Sequence, residues 1–419
     1  MNEVIRQIIN RIKAAPQDME FLNWLFGKHK DAVQAGKPVV LYGTGSFAKD
    51  FLITLNNHGI SPACFCNSDP SKSGTEYCNL PIISVDELKQ LHHKSIIVIA
   101  TQTHAASVKK LLIDHGFDKD LILWNKHFDM ALSLYFSFTN QANLSSLRTL
   151  SPHELMTLLT NNDTRISSVY NLLADQKSRD IFVSKLAMLV ANQNITMFVD
   201  YLKSFSEPVS EFGLIPFPTL GPENYFYFNN DVFQLKQDEI YLDVGAFDGD
   251  SVIEFVKTCR NRKLNYKHIF AFEPDPKNFD DLEKNTTGYN NITCHQLGVF
   301  SESGVLRFES SDTAVAPTAS GINGCGDIEI KVISIDDFLD GREITFLKMD
   351  PPGNIIPKAL RGASNTIKRF KPKLALGAYH SFEAIFDIAL LVHDILPEYK
   401  LYLRHLSWTI CETDLFAVV

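Results

Sequence analysis

Twice along this chain a short β-branched run halts at glycine and gives way to a helical pattern, a repetition that narrows the possible folds more than any other feature. Val39 to Tyr42 stops at Gly43-Thr44-Gly45 and is followed by Phe47, Phe51, Leu52 and Leu55 on one helical face. Ile240 to Val244 stops at Gly245 and is followed by Val252, Phe255, Val256 and Cys259 on another. An apolar run ended by glycine reads as a buried strand entering a turn. Strands that alternate with helices build a parallel sheet, since each parallel return needs a crossover.

Extended along the chain, the pattern divides it in three. Residues 1–128 read as a Rossmann-like domain, with further strands at Ala63 to Cys66, Ile96 to Ala100 and Leu121 to Leu123, and a capping box at Ser84 to Glu87 that opens a helix. Residues 129–222 show helical faces and no strand: Leu155, Met156, Leu158 and Leu159 follow Ser151-Pro152-His153-Glu154, and Ile166, Val169, Tyr170 and Leu173 repeat at helical spacing. This is a helical connector, closed by Pro208, Pro216, Pro218 and Gly221-Pro222. Residues 223–419 alternate again, with strands expected at 240–244, 269–272, 292–297, 345–349 and 374–378. Two closing runs, Leu401 to Arg404 and Leu415 to Val419, are expected to pair as an antiparallel hairpin at the sheet edge. The fold class is α/β, two doubly wound Rossmann-like domains joined by a helical connector. Ser310 to Gly326, small and polar, reads as a lid or a disordered insertion.

Composition excludes several classes. The 419 residues carry 40 Lys and Arg against 49 Asp and Glu, a net charge of -9 that argues against a nucleic-acid partner. No apolar run approaches the roughly 18 residues of a membrane span, and Val4, Ile5, Ile8, Ile9 and Ile12 mark an amphipathic helix, so no membrane role is expected. Seven scattered cysteines without C-x-x-C read as reduced thiols in a cytoplasmic protein, and nothing matches a metal-binding pattern.

The strongest chemical signal is Asp243-Val244-Gly245-Ala246-Phe247-Asp248-Gly249-Asp250. A strand delivers an acid to a glycine turn at a helix start, where bare backbone can approach a ligand. Twenty-eight residues beyond Gly245, a second strand ends in Glu273-Pro274. In a doubly wound sheet both strand ends lie on the ligand-binding edge, where Glu273 can accept hydrogen bonds from ribose hydroxyls. Asp243 precedes the glycine and suits a ligand with a positive centre, so the pair favours S-adenosylmethionine over NAD. Asp350 and His380 end two later strands on the same edge. An imidazole with a pKa near 6.5 suits a base that takes a hydroxyl proton, with Asp350 to position it.

Residues 223–419 resemble the FkbM-type methyltransferases, which are S-adenosylmethionine-dependent with a class I methyltransferase fold. The likeness is carried by Tyr227-Phe228, Leu242-Asp243-Val244-Gly245-Ala246, Phe272-Glu273-Pro274, Ile335-Asp336-Asp337, Phe346-Leu347-Lys348-Met349-Asp350 and the closing Glu412-Thr413-Asp414-Leu415-Phe416-Ala417-Val418. Tyr379-His380 and Tyr402-Leu403-Arg404-His405 resemble the subset with an additional Rossmann-like domain in front. The resemblance implies that Asp243, Gly245, Ala246, Phe247, Gly249, Asp250 and Glu273 bind the cofactor and that Gly298-Val299 lines its adenine. It also implies methyl transfer, expected to be to a hydroxyl of a small-molecule or carbohydrate-like acceptor.

One departure stands out. Family members follow Met-Asp with an acidic motif, whereas Met349-Asp350 here runs into Pro351-Pro352-Gly353, so both of that motif's glutamates are missing. Asp350-Pro351-Pro352 also resembles the signature of amino methyltransferases acting on nucleic acids, but the aromatic fourth residue that stacks on a flipped base is Gly353. A cofactor-binding pseudoenzyme with a decayed acceptor site is therefore one alternative. Another is a nucleotide- or NAD-binding protein working through the first domain, where Gly43, Gly45 and Ser46 fit G-x-G-x-x-A and Asp69 stands near the end of the second strand. That domain is equally open to an empty scaffold used for packing or for homo-oligomerisation.

Overall fold

The computed structural model describes residues 2–14, 21–101, 105–124, 152–191, 227–228, 230–309, 321–322, 328–351, 354–406 and 412–419, with positions 197, 200, 201, 204 and 205. The first sheet comprises β1 (Val39–Tyr42), β2 (Cys64–Cys66), β3 (Glu76–Tyr77), β4 (Leu80–Ile83), β5 (Ile96–Ile99) and β6 (Ile122–Leu123), in the order β3-β4-β2-β1-β5-β6. All pairings are parallel except β3 with β4. Every residue of β1 and β5 is buried, which is why these runs are apolar without alternation. Ser84 and Glu87 form the expected capping box. The hairpin β3–β4 was not legible, because Pro81 demotes Leu80-Pro81-Ile82-Ile83 as a strand.

The second large sheet comprises β7 (Glu239–Val244), β8 (Tyr266–Phe272), β9 (Ile292–His295), β14 (Phe346–Met349), β15 (Lys373–Gly377), β16 (Lys400–His405) and β17 (Thr413–Val418). Their order is β16-β17-β15-β14-β7-β8-β9. The strands after β7 are laid to one side as far as β9, and the chain then crosses back to place β14 on β7's other flank. The switch point therefore falls between β7 and β14, where a doubly wound sheet opens a crevice at its carboxyl edge. The closing hairpin forms as expected, with β17 antiparallel to both neighbours, but β17 is inserted between β15 and β16. Burial explains the arrangement: Thr413 to Ala417 are all buried, whereas β16 begins with an exposed lysine suited to an edge.

A third, small sheet was not anticipated. It joins β10 (Gly298–Val299), β11 (Gly304–Glu309), β12 (Gly321–Ile322) and β13 (Ile328–Ile333) in the order β10-β13-β11-β12. Where one strand was expected over 292–297, β9 ends at His295 and the chain swings to pair Gly298 and Val299 with Val332 and Ile333. A Cβ on Gly298 would meet Val332 Cγ1 at 2.9 Å, so packing against β13 already demands glycine there. Apart from β12, the segment Ser310 to Gly326 lies outside the described residues, as do Gly221-Pro222 and the prolines before it.

The helices Pro152–Asn161, Asp163–Leu172 and Gln176–Val190 occupy the connector. The first helix, Glu3–Ala14, packs on the last two of them, and its Val4, Ile5 and Ile8 share a core with Leu347, Leu374 and Leu401 of the second large sheet. Arg404 fastens the connector to β16. Its guanidinium is 3% exposed and reaches Asp175 Oδ2 at 2.7 Å and Asp231 Oδ1 at 2.6 Å. Asp175 also caps the helix Gln176–Val190 by accepting from Ser178 N at 2.8 Å. Arg404→Ala is expected to lower the unfolding free energy by about 2 kcal/mol, since charged hydrogen bonds are lost and a cap loosens. Urea denaturation checks this, and an unchanged midpoint contradicts it.

Candidate active site

The carboxyl end of β7 enters a tight turn in which Gly245, Phe247 and Gly249 all have positive φ, at 76°, 49° and 91°. Gly245 and Ala246 each donate to Phe272 O at 3.0 Å, which ties the turn to β8. A Cβ on Gly245 would lie 2.9 Å from Pro351 N and 3.1 Å from the Asp350 carbonyl, so only glycine lets this turn touch the loop after β14. The helix Asp250–Asn261 starts directly after Gly249.

Glu273 follows β8 and is buried beside the turn. Its Oε2 accepts from Phe247 N at 3.0 Å and its Oε1 from Asp275 N at 2.9 Å. Burial pushes its carboxyl up to about 8, with those two amide bonds acting against the rise. In the ionised form each oxygen spends one lone pair on the backbone and keeps another for a hydroxyl donor. A rigid carboxylate at a strand end, next to a glycine turn that admits close approach, fits the ribose of a nucleoside cofactor. Phe247, Gly249 and Asp250 stand in or beside that turn, while Ala246 is buried beneath it.

Asp243 stands elsewhere than its predicted role requires. It is 0% exposed, accepts from Tyr241 OH at 2.7 Å and Ser251 Oγ at 2.6 Å, and faces Lys348 Nζ at 3.1 Å. Lys348 and Asp243 are register partners on β14 and β7. The acid is thus neutralised inside the protein and underpins the turn from below, so it does not meet a ligand's positive centre directly. Lys348 also donates to Gly245 O at 3.3 Å. Burial alone would lower the ammonium's pKa, but Asp243, Asp350 and Asp250 outweigh it and keep Lys348 protonated.

Above this pair, Asp350 and His380 come together as the strand ends suggested, with His380 Nε2 2.9 Å from Asp350 Oδ1 and both side chains partly accessible. Tyr379 OH lies 2.9 and 2.8 Å from the two Asp350 oxygens and 3.3 Å from Glu412 Oε1. Tyr227 OH donates to Glu412 Oε2 at 2.9 Å. A Cβ on Gly377 would collide with Asp350 Oδ1, so the glycine ending β15 makes room for this carboxylate. Burial works to raise the Asp350 pKa, yet the His380 bond and the charges of His380 and Lys348 hold it below the ordinary carboxylate range. Glu412 is pushed up to about 8 by burial and by Asp350, and Asp414 well upward by burial, Glu412 and Asp350. One ionised carboxylate therefore sits among two that hold their protons at neutral pH.

In the sequence Lys348, Tyr379, Glu412 and Tyr227 stand only as parts of motifs, with no role of their own. A lone lysine in the apolar run Phe346-Leu347-Lys348-Met349 does signal a buried partner. Nothing in the sequence signals that Glu412, 62 residues beyond Asp350, folds back onto it. Gly298 and Val299 lie in β10, buried and paired with β13. Pro352 and Gly353 lie outside the described residues.

In the first domain, Gly43 has φ 126° and its missing Cβ would sit 2.6 Å from Ala100 O, so this glycine serves the close approach of β1 and β5. Gly45 precedes the helix Ser46–Asn57. Asn67 fills the ribose position and donates to Thr44 Oγ1 at 2.8 Å. Asp69 is exposed and accepts from Ser71 N and Oγ at 3.0 and 2.7 Å, capping the short turn Pro70–Lys72. Both bonds fall on its Oδ1. Residues 102–104, expected to line the same crevice, lie outside the described residues. Among the described residues no group of three or more His, Cys, Asp or Glu side chains is arranged to hold a metal ion, and no helix is long and apolar enough to cross a membrane.

The sheet order, with its single antiparallel strand inserted next to the edge, and the glycine turn facing Glu273 define a class I methyltransferase fold. Residues 243–402 match the methyltransferase FkbM domain. The crystal structure of methyltransferase FkbM from Methylobacillus flagellatus superposes with a TM-score of 0.61 at 20% identity, covering 99% of both chains, so the α/β fold is shared. The hexuronic acid methyltransferase AglP of Haloferax volcanii is 27% identical over 139 residues, 32% of this chain. The match spans 54% of that protein, about half its length.

Two outcomes are expected. Lys348→Met strands the buried Asp243 charge and lowers stability by about 3–5 kcal/mol; an unfolding midpoint equal to wild type contradicts the pairing. Glu273 and Glu412 bind protons more tightly folded than unfolded. Their contribution is complete below about 4.5 and lost as pH rises through about 8. Melting temperature therefore falls across that window from this source, and Glu273→Gln or Glu412→Gln flattens the fall. Identical slopes in wild type and both variants contradict the assignment.

Proposed function

We propose that this protein is an S-adenosylmethionine-dependent methyltransferase that transfers the methyl group to a hydroxyl oxygen of a small-molecule or carbohydrate-like acceptor in the cytoplasm. The observation that carries the reading is the contact between two half-sites: the Gly245 turn with Glu273 on one side, and on the other the Asp350–Pro351 backbone, within 2.9 to 3.1 Å of the bare Gly245 position, with His380 bonded to the Asp350 side chain. The matched FkbM domain and the sugar-acid methyltransferase among its relatives support the chemistry. S-Adenosylmethionine supplies a methyl group already activated on a sulfonium.

The residues then need to bind, align and deprotonate. Glu273 accepts from the ribose hydroxyls, and the Gly245–Gly249 backbone admits the cofactor closely. Alignment of acceptor and methyl can contribute roughly 7 to 11 kcal/mol to lowering the barrier. With Nε2–H directed at Asp350, His380 keeps Nδ1 to take the acceptor's proton, and Asp350 holds the ring and balances the charge that forms. The missing acidic motif does not leave the site without carboxylates, because Glu412 reaches it from β17's leading end. This favours a working enzyme over a pseudoenzyme. The NAD reading of the first domain gains nothing from Asn67 and Asp69, whose side chains are engaged locally.

Calorimetric titration of cofactor-stripped protein with S-adenosylhomocysteine is expected to show micromolar binding, weakened about 10-fold or more by Glu273→Ala. NADH binding without homocysteine binding contradicts the reading. His380→Ala is expected to lower turnover about 100-fold or more while leaving that affinity unchanged. Unaltered turnover across neutral pH removes the base role.

A further inference from the structure

The groups around Asp350 have a composition that the transfer chemistry alone does not require. Asp350, Tyr379, His380 and Glu412 are partly accessible, and they rest on the buried layer of Asp243, Lys348 and Asp414. Four carboxyl groups thus crowd one edge. The cations that meet them are Lys348, paired with Asp243, and His380 when protonated, paired with Asp350. Lys185, from the helix Gln176–Val190, acts on Asp414 and lies over the Tyr201 ring, on the connector side. Asp250 adds negative charge from the cofactor side. Both Tyr379 and Tyr227 point hydroxyls at the carboxyl oxygens, and the Tyr379 ring packs on His380 with centroids 4.3 Å apart.

We propose that this cluster is the acceptor subsite and that it takes a neutral or amino-bearing sugar, gripped through adjacent hydroxyls by Asp350 and Glu412, and rejects sugar acids. Carboxyl oxygens are acceptors matched to vicinal hydroxyl donors, and tyrosine hydroxyls complete both-way hydrogen bonding to a polyol. A carboxylate brought to the same place faces an ionised Asp350 beside two acids that burial, with Asp350's charge added, already keeps protonated. Among the described residues no bidentate cation answers it, as Arg404, the guanidinium on the neighbouring β16, is committed to Asp175 and Asp231. Lys348 is held beneath the Gly245 turn, where an incoming carboxylate would have to displace Asp243.

The assignment rests on the methyltransferase reading, and one experiment separates the two. The full chain, saturated with S-adenosylhomocysteine, is titrated with methyl glucoside, methyl galactoside, methyl mannoside and glucosamine, and with glucuronate and galacturonate. At least one neutral or amino sugar is expected to bind 10-fold or more tightly than its matched uronate, a difference of about 1.4 kcal/mol. Asp350→Asn, which removes the ionised carboxylate, narrows that preference, and Tyr379→Phe, which leaves every charge in place, weakens the neutral sugar while keeping uronates poor. Equal or tighter uronate binding, an unchanged preference in Asp350→Asn, or no sugar binding at all in a protein that does bind S-adenosylhomocysteine overturns the acceptor assignment alone. Failure to bind S-adenosylhomocysteine overturns the methyltransferase reading and this assignment with it.

Discussion

The ion pair between Lys348 and Asp243 holds the two halves of this site in register. It joins β14 to β7 at the place where the sheet reverses its winding order, and both side chains are almost wholly buried. Removing two charges from water is costly, and the pair survives because each end is further satisfied: Asp243 by Tyr241 and Ser251, Lys348 by Gly245 O and Ser251. A single ammonium thereby fixes the floor of the glycine turn, the start of the helix Asp250–Asn261 and the charge balance beneath Asp350. Had Asp243 been left to meet a ligand alone, the turn above it would have lost its anchor.

What the sequence discloses and what it withholds divide along a physical line. Strands such as Val39–Tyr42 and Phe346–Met349 are apolar because both faces are covered, and burial of that kind is written directly into residue type. Gly245 and Glu273 were legible for a related reason, since a backbone with positive φ and an acid at a strand end each need particular residues. Asp350 and His380 were placed together by counting strand ends alone. The direction of a side chain was not legible in the same way. Asp243 has the residue type expected of a ligand-binding acid, yet the pleat turns it toward Tyr241 and Lys348. Glu412 is invisible from its neighbours in sequence because its contacts are made across three strands, after β17 has been inserted beside β15.

The departure after Met349-Asp350 gains a physical explanation from that topology. Pro351 lies close enough to the Gly245 position that a side chain on the turn would strike it, so a proline with its fixed φ stands where the turn passes. Carboxyl groups also reach this edge from the opposite flank, where Glu412 meets Tyr379 and Tyr227 and Asp414 is buried next to it in the chain. The first domain follows a different economy. Its glycine at position 43 is required by the approach to Ala100 O, and its ribose-position Asn67 closes on Thr44, so both features serve the sheet's own packing.

A crystal structure of the protein grown with S-adenosylhomocysteine tests the central claim most directly, namely that the Gly245 turn with Glu273 and the Asp350–His380 pair are two halves of one site. The account predicts the ribose hydroxyls on the Glu273 carboxylate and the sulfur turned toward Asp350 and His380. The ligand bound over Gly43 and Gly45 instead, or bound at Glu273 with its sulfur directed away from that pair, would contradict it.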